Sequence, residues 1–268
     1  MKKILVPLGP SKNAVYTLQY AIDFFQGTDA VLYAIKIFTG SQAPVVSFKN
    51  LDAILEDDTK RELEEVLSKV DTKGVQIISK SIKGNINDSI ERVADQLDID
   101  LIIVSAKAVS KDDDVYLGNI AGGLIKNTNV PMLILPKKYK YKKVSKVLMA
   151  IKSGVLDSPE ILVPLKDILF KFGATLDLIR VIVPESTEED AVIDEELKSL
   201  AAHYKTSENA TVFQGVLEHI HSVEPDMICA IRRKRGFFNR LFEQSRILKK
   251  DFESRVPLLV LKASEREL

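Results

Sequence analysis

Short apolar runs rich in β-branched residues alternate along the chain with longer stretches whose apolar residues recur every three or four positions. "KILVPL", "AVLYAIKIF", "VQIISKSI", "DLIIVS" and "VPMLILP" have the length and near-continuous apolar character of buried strands. Between them, "NAVYTLQYAIDFF", "LDAILEDDTKRELEEVLSKV" and "INDSIERVADQLD" carry the helical period. In the second of these, Leu63, Val66, Leu67 and Val70 share one face. Strands of this kind alternating with amphipathic helices predict an α/β protein with a parallel sheet covered on both sides.

The pattern then repeats. "VPMLILPKK" begins at Val130 and "VPLLVLKAS" at Val256, a separation of 256 − 130 = 126. "DLII" at Asp100 and "DMIC" at Asp226 keep that separation. "KILVPL" answers to "KVLMAI", with Ile4 and Val147 separated by 143, so the second copy is shorter by 143 − 126 = 17 residues after its second strand. A register held over several landmarks marks an internal duplication. The expected organisation is a first α/β domain over 1–137, a basic linker over 138–144 and a second, shorter domain over 145–268. The linker region "KKYKYKKVS" interleaves lysines with two tyrosines and is read as a solvated connection rather than a polyanion footprint.

Composition narrows the class without naming an activity. Lys+Arg 38 balance Asp+Glu 38, so no global charge attracts nucleic acid or an anionic membrane. The start "MKKILVPLGP" has only a short apolar run ended by Pro7, unlike a secretory leader, and no apolar run approaches the ~18 residues of a membrane span. Cys229 stands alone and cannot form an internal disulfide. A cytoplasmic globular protein is the expectation.

In a doubly wound sheet, ligands sit beyond the carboxyl ends of the strands, at the point where strand order reverses. Here those ends are residues 8–11 and the loop from Ser105 in the first domain. In the second they are residues 151–154 and 231–245. Neither G-x-x-x-x-G-K-[ST] nor a G-x-G-x-x-G after a strand occurs. Asn119 is a candidate helix N-cap whose following N–H groups could face an anion. Ser11 is read as a cap for the first helix. His203, His219 and His221 lack a Cys or carboxylate at ligand spacing, so no metal is expected. Cys229, in "MICAI", is read as a small buried hydrophobe with no adjacent base.

Together these residues resemble the universal stress protein family in tandem form. "ILVPLG" matches the family's opening strand I-L-V-P-[TV]-D except at its last position, and "VPMLILP" matches its fifth strand. The resemblance implies five-stranded domains of order 3-2-1-4-5. It also implies, for nucleotide-binding members, a G-x2-G-x9-G-[ST] motif after the fourth strand that contacts ribose and phosphates. In the first domain the motif positions fall on Ser105, Ala108, Gly118 and Asn119, and only Gly118 keeps the family's residue. The acid after strand one is replaced by Gly9, next to Leu8. In the second domain the positions fall on Ile231, Lys234, Gln244 and Ser245, with Lys152 at the acid position.

The departures have physical weight. Glycine lets backbone approach a phosphate closely, whereas a β-carbon at Ala108 is a modest obstacle and Ile231 a large one. Asp112, Asp113 and Asp114 add negative charge near the expected phosphates. Unit charges ~4 Å apart repel by about 4 kcal/mol at an effective dielectric near 20. The first-domain candidate cleft is therefore a degenerate one, of Leu8, Gly9, Ser105, Ala108, Gly118 and Asn119. In the second domain Lys152, Arg232, Lys234, Arg235 and Ser245 form a candidate anion site, with charged donors in place of backbone N–H groups.

The fifth strands are too apolar to leave as open edges. The two domains are expected to pair through them as an internal pseudo-dimer, and a homodimer of whole chains is compatible with the sequence. The reading carried forward is a non-enzymatic stress-response protein without cofactor, acting through protein partners. The alternative is a regulator that binds ATP or AMP in the first cleft, with weak hydrolysis, or an anionic ligand at the basic loop 232–240.

Overall fold

The computed structural model describes residues 1–9, 13–40, 51–106, 118–232 and 256–262. Its described residues fall into two compact units, 1–130 with 137–141, and 131–136 with 142–262.

The first unit contains β1 (Lys3–Pro7), α1 (Asn13–Phe25), β2 (Val31–Phe38) and α2 (Leu51–Ser68), then β3 (Gln76–Lys83), α3 (Ile86–Leu97), β4 (Leu101–Ser105) and α4 (Gly118–Asn127). The strands are parallel in the order β3-β2-β1-β4. The central strands hold the core, with Ile4, Leu5, Val6, Leu32, Ile102 and Ile103 all fully buried, while edge strand β3 is largely exposed. Helix α2 ends two residues earlier than its apolar spacing predicts: Leu63 and Val66 are buried, and Val70 lies beyond its end.

The lysines of the basic segment are exposed, but its two tyrosines are half-buried. Tyr139 and Tyr141 pack against Tyr20 of α1, with ring centroids 5.9 and 5.6 Å away. The Tyr20 hydroxyl is buried without a hydrogen-bond partner, and burial, then the neighbouring phenols, push its pKa well up.

The second unit contains β6 (Lys146–Ile151), α5 (Val163–Phe172), β7 (Thr175–Ile182), α6 (Glu195–Leu200), β8 (Ala201–Glu208), α7 (Val212–Val223), β9 (Met227–Arg232) and β10 (Leu258–Lys262). Their parallel order is β8-β7-β6-β9-β10, which is 3-2-1-4-5 in the numbering of one repeat. Strand β5 (Met132–Leu135) joins this unit antiparallel to β10, in the register Leu133↔Leu259. Both leucines are fully buried, so the two apolar last strands cover each other. The missing residues of the second copy come from its second crossover. Where the first unit has the 18-residue α2, the second has a 3₁₀ turn at Glu189–Ala191 and the six-residue α6.

Local chemistry repeats with the sequence register. Asn85 caps α3 by accepting from the N–H groups of Asn87 and Asp88, and Thr211 caps α7 by accepting from Gln214 N–H. Each of these helices ends on a left-handed residue, Asp98 (φ 49) and Glu224 (φ 48). The Asp100 carboxylate then accepts from the N–H groups of Lys2 (2.6 Å) and Lys3 (2.9 Å). Asp226 does the same for Ser145 (2.8 Å) and Lys146 (3.1 Å). The two caps, the two left-handed residues and the two aspartates are each 126 residues apart, and the first-strand residues they meet are 143 apart, so one aspartate per repeat pins the amino end of that repeat's first strand.

Candidate functional site

The first unit has a cleft of about 240 Å³ beyond the carboxyl ends of β1, β2 and β4, where strand order reverses. Pro7, Ile35, Ile37, Ile86 and Val104 supply apolar wall, and α1 and α2 close one side with Asn13, Thr17, Thr59 and Glu62. Of the residues expected here, Leu8, Gly9 and Ser105 line it. Leu8 is buried and its N–H donates to the Ile35 carbonyl (2.8 Å), so β1–β2 pairing continues into the wall. Gly9 faces open space: a β-carbon there would meet nothing within 4 Å.

Ser105 is already engaged. Its hydroxyl accepts from Asn13 Nδ2 (2.5 Å), while Asn13 Oδ1 accepts from the backbone N–H of Lys138 (2.7 Å). The Thr17 and Thr59 hydroxyls donate to the helical carbonyls of Asn13 and Leu55 (3.0 and 2.6 Å). Gly118 and Asn119 are the first two residues of α4, so the capping position precedes Gly118 and Asn119 is not the cap. Ala108 and Asp112 to Asp114 lie outside the described residues.

Sequence reasoning missed the charged pair of the cleft. Lys36, near the carboxyl end of β2, is 6% exposed and lines the cavity, with its Nζ 2.5 Å from a Glu62 carboxylate oxygen. The signal was a single lysine inside the apolar run "AVLYAIKIF", at a position where a buried strand has no use for charge. Glu62 had no such signal, because α2 carries carboxylates all round.

The equivalent place in the second unit is built over. Lys152 follows β6 and its Nζ lies 2.9 Å from Asp190 of the 3₁₀ turn. Burial pushes the Asp190 carboxyl up, but the Thr187 N–H and the Lys152 ammonium outweigh it and hold the group below its usual value. Arg180 Nε donates to the Asp190 carbonyl (3.0 Å). Gly154 N–H donates to Val192 O (3.2 Å) and Gly154 O accepts from Asp194 N–H (3.0 Å). A β-carbon on Gly154 would lie 2.7 Å from the Ile193 α-carbon. Arg232 ends β9, and Lys234, Arg235 and Ser245 lie outside the described residues.

Among the described residues no group of three or more His, Cys, Asp or Glu is arranged to hold a metal, and no helix is long and apolar enough to cross a membrane. His203 Nδ1 lies 3.1 Å from an Asp177 carboxylate oxygen on the surface. Cys229 is 1% exposed, and burial pushes its thiol far up, away from the reactive thiolate.

Comparison with known proteins agrees with the fold. The chain is 26% identical over 144 residues to universal stress protein MJ0531 of Methanocaldococcus jannaschii, covering 52% of this chain and 84% of that one. It is 23% identical over 155 residues to universal stress protein MJ0577 of the same organism, covering 51% and 96%. A solved universal stress protein from Archaeoglobus fulgidus DSM 4304 is similar in fold, with a TM-score of 0.72 at 18% identity over 98% of this chain and 97% of that one. The pattern of one family is matched over residues 1–136, just over half of the 268, and the chain belongs to the universal stress protein family.

Proposed function

We propose that the chain is two universal-stress-protein modules in tandem, 1–137 and 145–268, joined by the basic segment 138–144. In this reading it is a cytoplasmic stress-response protein that works by binding protein partners rather than by catalysing a reaction, and its nucleotide clefts have been given up. The observation that carries the reading is the state of the first-unit cleft. Among the described residues its polar side chains bond within the protein, through the Asn13–Ser105 hydrogen bond, the Thr17 and Thr59 hydroxyls and the Lys36–Glu62 ion pair. Gly9 offers no carboxylate to a ribose. The volume, about 240 Å³, falls below the roughly 300–1,000 Å³ of sites that engulf drug-sized ligands. In the second unit the Lys152–Asp190 pair and the Gly154 contacts leave the strand end covered by the chain's own crossover.

The test is native mass spectrometry of the freshly purified full chain, followed by calorimetric titration with Mg-ATP, ADP and AMP. The expected result is a mass with no nucleotide and no binding tighter than about 1 mM, or ~4 kcal/mol. Micromolar affinity for any of the three would sink the reading and restore the cleft as a nucleotide site.

A further inference from the structure

Lys36 is a buried cation whose counter-charge stands at the cleft mouth. Its side chain is 8% exposed, whereas that of Glu62, reaching in from α2, is 56% exposed. An ammonium withdrawn from water needs an anionic partner. A glutamate that is more than half in solvent is a weak one, because water and salt compete for it and its own rotamers must be frozen. The cleft that Lys36 lines has an apolar wall of Pro7, Leu8, Ile35, Ile37 and Val104, and Gly9, which also lines it, leaves open space where a side chain would stand. Apolar wall with one placed charge is the composition of a small-molecule site. A phosphate would need several further donors, and the side chains of Asn13, Thr17 and Thr59 already bond within the protein.

We infer that the first-unit cleft takes a small organic carboxylate with an apolar body, held by Lys36 in the place the Glu62 carboxylate now takes. Glu62 is then a built-in competitor: it neutralises Lys36 until an anion that also buries apolar surface displaces it into water. The inference rests on the reading that the cleft has lost its nucleotide, and it names what the remaining space selects.

The experiment is calorimetric titration of the full chain with benzoate, with benzamide as the neutral match and Mg-ATP run on the same samples. Benzoate is expected to bind one per chain and benzamide not to bind. Glu62→Gln removes the competitor and should tighten benzoate about five-fold, the size of one exposed ion pair. Lys36→Met should weaken it more than ~ten-fold. Benzamide binding as well as benzoate, or Glu62→Gln leaving the affinity unchanged or weaker, overturns the inference. If Lys36→Met fails to fold by circular dichroism, those two comparisons decide alone. Absence of benzoate binding with no ATP binding refutes this inference only, whereas ATP binding to the wild type refutes the proposed function.

Discussion

The first strand of each unit has two ends, and they behave oppositely. At the amino ends of β1 and β6 the units match, down to the two backbone N–H groups taken by Asp100 and by Asp226. At the carboxyl ends they diverge after one buried aliphatic residue in each, Leu8 and Ile151. Beyond β1 lies Gly9 facing open space in a cleft, and beyond β6 lie Lys152 and Gly154 under the 3₁₀ turn and its flanks. The shortened crossover of the second unit is therefore a different object, laid across the strand end. A duplicated scaffold can keep the end that carries stability and change the end that carries ligands, because the latter is made by connections rather than by the sheet.

The sharpest way to break this contrast is at Gly154. Gly154→Val places carbon against the Ile193 backbone and should destabilise the protein by about 3 kcal/mol in urea unfolding. An unchanged midpoint would mean that the crossover does not pack on the strand end. The aspartate pair comes next. Asp226 is 8% exposed and also meets the Lys142 ammonium at 2.6 Å, so Asp226→Asn should cost about 2 kcal/mol at pH 7. The same change at the more exposed Asp100 should cost less.

Burial pushes the Asp226 carboxyl up, but Lys142 and the two N–H groups outweigh it, so its folded pKa lies below its unfolded value. The stabilisation is therefore present above the unfolded value near ~3.9 and is lost as pH falls through the folded one. Wild type and Asp226→Asn should converge in stability as the pH is lowered through the folded pKa of Asp226. A gap that persists there would assign the effect to packing. Smallest is Gly9→Ala, which should change the unfolding free energy by less than ~0.5 kcal/mol. A larger loss would show that the end of β1 is as constrained as that of β6.

Much of this was legible in advance. The 126-residue register between "DLII" and "DMIC" already contained Asp100 and Asp226, and the alternation of apolar runs predicted every strand of the first repeat. The apolar last strands implied the cover that Leu133 and Leu259 provide. The site was less legible. Motif positions located Gly9 and Ser105 in the cleft wall, yet could not reveal that Asn13 takes the serine or that Glu62 reaches Lys36. Those contacts join residues 92 and 26 positions apart on different elements. Likewise Lys152 looked available as a charge, and its partner Asp190 sits in a crossover with no periodic pattern to place it.

By itself the sequence determined the class of fold and the repeated register, because these follow from local periodicity and from spacing along the chain, while the strand order was implied by the resemblance to the family. Tertiary structure alone decided which strand end stays open and which charges are spent. Those outcomes depend on where a crossover lands and on distances of a few ångströms between side chains, which one-dimensional spacing does not encode.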